Sequence, residues 1–269
     1  MGRFEALLGT DFDGRPTEDV DDVIYEALDD ARHRERVPGL IELMNDGSAP
    51  ERERFLACVA LTTWAEPAGY ETVIALARDP KSAPWYDILI DRKFSVDNTF
   101  AQLSVAVCDS DDLAREKGTW DLRTDTFRSL VGIADREYFD EKLADLLDSE
   151  TVRALLPEIH EVIGRGVVQL AERRSQGFDL TTQLVDLAAA VATVDGPAAV
   201  RLGHEVLSQD TSPRALMHAV AIVQRSRTSE AREFSEYLSS LGTDKVRDEI
   251  RRALGSRGQR NAPVSNPAG

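Results

Sequence analysis

The stretch IELMNDGSAPERERFLACVALTTWAEPAGYETVIALARDP, residues 41–80, decides the fold class. A helix carrying Val37, Leu40, Ile41 and Met44 runs into Asn45-Asp46-Gly47 and stops there. Pro50 opens the next, and Phe55, Leu56, Val59 and Ala60 recur at the spacing of one helical face. Trp64 closes that helix before Glu66-Pro67. A further helix holds Tyr70, Val73, Ile74 and Ala77 and ends at Asp79-Pro80. These are short amphipathic helices joined by tight turns, and no period-2 alternation interrupts them.

The pattern extends in both directions. Upstream, Val20, Val23, Ile24, Ala27, Leu28 and Ala31 form one stripe, which predicts a first helix over about 17–32 with its acids on the solvent face. Downstream, the periodicity predicts helices over roughly 98–108, 120–134, 136–148, 150–163, 166–174, 179–194, 197–208, 212–225, 229–241 and 244–254. Ile88-Leu89-Ile90 is the one short strand-like run. The tail from Gly255 is rich in Gly, Pro, Asn and Ser and reads as flexible. The expectation is an all-α chain with a single helical domain over 1–254 and a tail over 255–269.

Internal similarity adds to this. LIELMNDGSAP, 40–50, aligns with VIALARDPKSAP, 73–84, when one residue is inserted. QDTSPRALMHAVAIV, from Gln209, repeats the turn, Pro, Arg and small-residue helix of GSAPERERFLACVAL, from Gly47. Paired helices at such spacing point to an α-solenoid. The 41–80 segment resembles one unit of the HEAT-repeat family, with Asp46 in the turn, Arg54 on the first helix and Leu76-Ala77-Arg78-Asp79-Pro80 closing the second. The likeness is specific over about 35–90, loose over 195–254 and poor over 110–180. It implies a right-handed stack of antiparallel helix pairs.

Charge narrows the partners. The net charge is −16. Residues 11–30 alone hold nine acids and one arginine, a net of −8. Residues 131–150 hold seven acids against Arg136 and Lys142. Such a field repels nucleic-acid phosphates and anionic membrane surfaces, and it draws in a basic partner. Asp19, Asp22, Glu26 and Asp29 are the expected steering surface. No run of apolar residues is long enough to span a bilayer, and MGRFEA at the start carries no apolar signal segment. Cys58 and Cys108 lie in apolar helical patterns and read as reduced thiols, so a cytoplasmic location is expected.

Motifs for chemistry are missing. Aligning Gly14 of DFDGRPTEDVDD with the glycine of a calcium loop puts Gly9 and Val20 where acids are required, so Asp11-Phe12-Asp13-Gly14 reads as a turn. His33, His160, His204 and His218 have no metal-ligand spacing. Gly164 and Gly166 open no dinucleotide fingerprint, and Gly255-Ser256-Arg257-Gly258 is no nucleophile elbow. No cofactor, metal or catalytic residue is assigned.

The exception to the helical pattern is SAPWYDILIDRKFSVDNTFAQL, 82–103. Pro80 and Pro84 block helix continuation, and Thr99-Phe100-Ala101-Gln102 starts the next helix with a capping-box pattern, Asp97 and Asn98 being rival caps. About 15 residues link two helices where 2 to 8 are usual. Two readings stand. Trp85, Ile88, Ile90 and Phe94 plug a groove while Asp91, Arg92 and Asp97 tie the backbone down. Alternatively Trp85, Tyr86, Arg92 and Lys93 present a partner-binding rim, because Trp, Tyr and Arg are the common interface anchors. The partner-binding candidates are Trp85, Tyr86, Asp87, Asp91, Arg92, Lys93 and Asp97.

The leading expectation is a protein-binding module. The resemblance extends to the HEAT-like immunity proteins of bacterial toxin systems, and it implies an acidic inhibitor that occludes a basic toxin domain. A HEAT-like DNA glycosylase is the enzymatic alternative, with Trp64, Trp85, Trp120 and Asp87 or Asp91 around a damaged nucleotide, though net charge opposes it. A structural adaptor is the third.

Overall fold

The computed structural model describes residues 2–174 and 176–260, with side-chain environments through residue 255. Among the described residues there are sixteen α-helices, one 3₁₀ turn and no strand, so the chain is all-α. The contacts divide it into two compact units, 1–146 and 147–269.

In the first unit the elements are α1 (Arg3–Leu7), α2 (Val20–Glu26), α3 (His33–Asn45), α4 (Glu51–Thr63), α5 (Pro67–Arg78), a 3₁₀ turn (Pro80–Ser82), α6 (Thr99–Asp109), α7 (Asp111–Lys117), α8 (Trp120–Val131) and α9 (Leu143–Leu146). Helix α4 is central and packs on α3, α5 and α6. Its inward residues Phe55, Ala57, Cys58, Ala60 and Leu61 are buried. Burial pushes the Cys58 thiol up to about 12, because the thiolate has no water to solvate it.

Helices α4 and α5 approach closely at Gly69. A Cβ there would lie 2.6 Å from the Thr62 backbone nitrogen, so only glycine fits. The turn between them places Ala65 in the left-handed region, at φ 57°, and the Glu66 N–H closes it on the Leu61 carbonyl at 2.9 Å.

Two cations, Arg123 buried and Lys117 half-buried, fasten the unit. Arg123 is 2% exposed and donates to the Val107 carbonyl (2.9 Å) and the Cys108 carbonyl (3.2 Å), so α8 caps the C-terminal end of α6. Lys117 ends α7 and donates to the Trp64 carbonyl (2.7 Å), Glu66 Oε1 (2.6 Å) and His33 Nε2 (3.0 Å). The N-terminal segment is pinned by Arg36 of α3, which donates to the carbonyls of Leu7, Thr10 and Asp11 and stacks 4.2 Å from the Phe12 ring centre.

The second unit contains α10 (Ser149–Ala154), α11 (Leu156–Ala171), α12 (Leu180–Val191), α13 (Gly196–Leu207), α14 (Pro213–Arg225), α15 (Ser229–Leu241) and α16 (Asp244–Arg260). Helix α12 is its centre, buried on nearly every face and packed on α11, α13 and α14. Asp179, Asp195, Ser212 and Thr228 each accept a hydrogen bond from the N–H three residues on, which starts α12 through α15.

Several boundaries differ from the sequence reading. The helix expected over 17–32 is only α2, and Asp29 lies in the turn after it. The helix expected over 136–148 shrinks to α9, because Asp140 and Glu141 turn left-handed at φ 52° and 57°. Helix α7 was not anticipated. The two helices expected over 150–163 and 166–174 become α10 and the longer α11, which runs through Gly164 and Gly166. Helix α16 takes in 255–260, the first part of the expected tail, and 261–269 lie outside the described residues. Among the described residues no helix is long and apolar enough to cross a membrane.

Candidate functional site

The long connection between the 3₁₀ turn and α6 is a miniature hairpin. The Asp91 N–H bonds the Val96 carbonyl at 2.9 Å and the Asn98 N–H bonds the Leu89 carbonyl at 2.7 Å, pairing Ile90 with Asp97. Asp87 and Ser95 accept left-handed backbone, at φ 64° and 58°, to make its turns. Asp91 Oδ1 closes the tip by accepting from the N–H groups of Lys93 (3.0 Å) and Phe94 (2.7 Å).

Asp97 is the base of the loop. It is 4% exposed and accepts from the Asp87 N–H (2.9 Å), the Thr99 N–H (3.1 Å) and the Thr99 hydroxyl (2.5 Å). Burial outweighs these bonds and raises its carboxyl above the usual range. Tyr86 donates to Glu137 Oε2 at 3.0 Å. Glu137 is likewise raised, first by burial. Phe94 meets Tyr138 edge-on at 5.3 Å and Lys93 reaches Glu141 at 3.0 Å, so the hairpin lies on the 137–141 turn.

Trp85 is 2% exposed, packed on Phe55 at 6.1 Å and under Arg54 at 5.9 Å. Its indole N–H has no acceptor. This corrects the rim expectation: Trp85 and Asp97 are interior and cannot meet a partner in this arrangement. Asp87, Arg92 and Lys93 are exposed, while Tyr86 and Asp91 are half-buried. Ile90, expected inside, is 49% exposed at the hairpin.

The tryptophans proposed around a nucleotide are engaged in packing. Trp64 is fully buried with its N–H on the Ile24 carbonyl at 2.9 Å, and Trp120 is stacked between Arg115 and Arg123 at 3.7 and 4.7 Å.

The acids of the first turn sort differently. Asp11 Oδ1 accepts from the N–H groups of Asp13 (2.9 Å) and Arg15 (2.7 Å), which makes 11–14 a turn. Asp19 caps α2 by accepting from the Asp21 N–H at 3.0 Å. Asp19, Asp22, Glu26 and Asp29 are all exposed, as a steering surface requires.

Sequence reasoning missed the concavity beside them. A cleft of about 640 Å³ opens between the N-terminal segment, the start of α2, α4 and the hairpin. Phe55, Leu56 and Val59 of α4 with Ile88 and Leu89 of the hairpin supply apolar walls, and Glu5, Glu18, Asp19 and Asp21 supply carboxylates. Only the apolar stripe of α4 and the acidic run were legible in advance. Their juxtaposition depends on Arg36 folding the N-terminus back, a contact with no local sequence signature.

Among the described residues no group of three or more His, Cys, Asp or Glu is placed to hold a metal ion. Comparison with protein-family models, with curated proteins and with solved structures found no match.

Proposed function

We propose that the chain is a cytoplasmic protein-binding module, and most concretely an acidic immunity or inhibitor protein that occludes a basic toxin or similar partner. The observation that carries this reading is the division of charge. Residues 1–146 hold 32 acids against 17 bases, a net of −15, and residues 147–269 hold 16 against 15, a net of −1. Generic acidity for solubility has no need to fall in one unit. A concentrated field raises the rate of encounter with a cationic surface and disfavours phosphate-bearing partners.

The architecture that accompanies this reading is a HEAT-like array of helix pairs. The neighbouring packing of α3 on α4 and α4 on α5, and of α12 on α13 and α13 on α14, supports it. The mechanism is steric: the bound module covers the partner's working surface, and its own residues perform no chemistry.

Co-expression with the product of an adjacent toxin-like reading frame tests the reading. The expected result is protection of the cell and a stable complex that salt weakens. Undiminished toxicity with no complex formed, for each candidate frame beside the gene, sinks it.

A further inference from the structure

The cleft of the first unit mixes an apolar and an acidic surface. Its floor is apolar: Phe4, Phe55, Leu56, Val59, Ile88 and Leu89. Its rim carries Glu5, Glu18, Asp19 and Asp21 against the single cation Arg52. Some acids elsewhere in the same unit are paired. Arg32 holds Asp13 and Asp30, Arg3 holds Asp46, Lys117 holds Glu66 and Lys93 holds Glu141. Among the described residues, none of the four rim acids makes an ion pair. The Asp21 carboxyl is raised by partial burial and by repulsion from Asp19 and Asp22. The rim is therefore poised to gain from a cation.

Resting on the reading of a basic protein partner, we propose that this cleft docks an amphipathic cationic helix of that partner, apolar residues on the α4 floor and Lys or Arg on the rim. The volume admits a few large side chains laid along α4, which is the helix-in-groove mode, and it is too small for a folded domain. A neutral apolar helix would cover the four carboxylates without compensating them, which is costly. An acidic helix or a phosphate backbone would meet like charge at short range.

The chain itself contains one rival of similar chemistry. Residues 250–269 hold four arginines and no acid. A second copy supplying that segment is therefore an alternative occupant that the test must separate.

The test uses the full chain and a labelled Leu/Lys peptide of about four helical turns. Three comparisons decide it: a sequence-scrambled peptide of equal charge, a peptide of residues 250–269, and two variants of equal charge change. Glu18→Lys/Asp21→Lys alters the rim. Glu42→Lys/Glu71→Lys alters exposed acids on α3 and α5 outside the cleft. Far-UV circular dichroism verifies that both variants are folded.

The expected result is saturable binding of the amphipathic peptide, weakened about 10-fold or more by the rim variant and less than about 3-fold by the other. Leu56→Asn, a change in the floor, weakens the amphipathic peptide and leaves any residual binding of the scrambled one unaltered. Equal binding of the scrambled peptide overturns the proposal, because field alone then accounts for it. Equal loss in both charge variants overturns it for the same reason. Tighter binding of the 250–269 peptide replaces the foreign partner with a second copy. The two readings fail separately. A rim variant that still neutralises the toxin ends the cleft proposal and leaves the immunity reading standing. A wild type that binds the peptide and protects against no toxin does the opposite.

Discussion

His33 shows how much one side chain's protonation state can hold. Its Nδ1 lies 2.7 Å from the Asp30 carbonyl, which only accepts, and its Nε2 lies 3.0 Å from the Lys117 ammonium, which only donates. The ring is therefore neutral with its proton on Nδ1. Burial lowers its pKa below 6.5, and the adjacent Lys117 charge lowers it further. In the unfolded chain the ring protonates near 6.5. As pH falls below that value the unfolded state gains a proton that the folded state refuses, so folded stability declines. The decline runs down to the folded pKa. His204, lowered by burial, adds a slope of the same sign. Buried Asp97 and Glu137 act oppositely, since their raised pKa values favour the folded state toward acid. The expected outcome is that His33→Gln costs stability at about pH 7.5 and that its deficit shrinks toward about pH 5.5. Urea titrations of both proteins at a series of pH values measure this, and a deficit independent of pH would refute the assignment.

Trp85 carries a second expectation at the same scale. Trp85→Ala removes a buried indole and should lower stability by about 3–5 kcal/mol, read as a fall in urea midpoint. Arg92→Ala, on an exposed side chain, should change it by less than about 0.5 kcal/mol. A pull-down with Trp85→Ala therefore reports on folding, and only Arg92 of that pair can report on a partner.

At the scale of elements, Gly69 makes the sharpest prediction. Gly69→Ala places a methyl against the backbone of α4, where nothing flexible gives way. Separation of α4 and α5 should cost about 1–3 kcal/mol, seen as a lower melting temperature. An unchanged melting temperature would mean that the crossing is looser than described.

Helices α3 to α5 were legible because their signals are local: a 3.6-residue apolar period, Pro50 and Pro67 at the starts, Asp79-Pro80 at the end. The 136–148 helix was misread because Tyr138, Phe139, Leu143 and Ala144 are buried at helical spacing, while two left-handed residues that break the helix are ordinary acids. The break expected between 163 and 166 is absent, and Gly166 is a packing contact. Leu184 of α12 would lie 2.5 Å from its Cβ, so the residue is small for a neighbour and helix α11 continues. The long connection between helices followed from two prolines and its length. Its closure as a hairpin with Asp97 buried did not, because the Asp87 N–H that Asp97 accepts from lies ten residues away and only the folded loop brings it close.

At the scale of the whole molecule, the charge concentrated in residues 1–146 should govern the rate of encounter with the proposed basic partner. Raising salt from about 0.05 to 0.5 M shortens the screening length from beyond 10 Å to a few Å. The association rate with a basic partner should fall at least about 10-fold over that range, and dissociation should change much less. Stopped-flow mixing at several salt concentrations distinguishes the two rates. A salt-independent association rate would show that the acidic unit takes no part in encounter.

Helix α4 also equips the protein with its own clock. Cys58 is fully buried at the centre of the first unit, and its suppressed thiolate cannot react until α4 leaves its neighbours. Alkylation of that thiol thus reports openings of the unit. Under conditions where closing outpaces labelling, the modification rate converts directly into the free energy of opening. An occupant of the cleft lined by Phe55, Leu56 and Val59 should slow the clock in proportion to its occupancy, without any label on the partner.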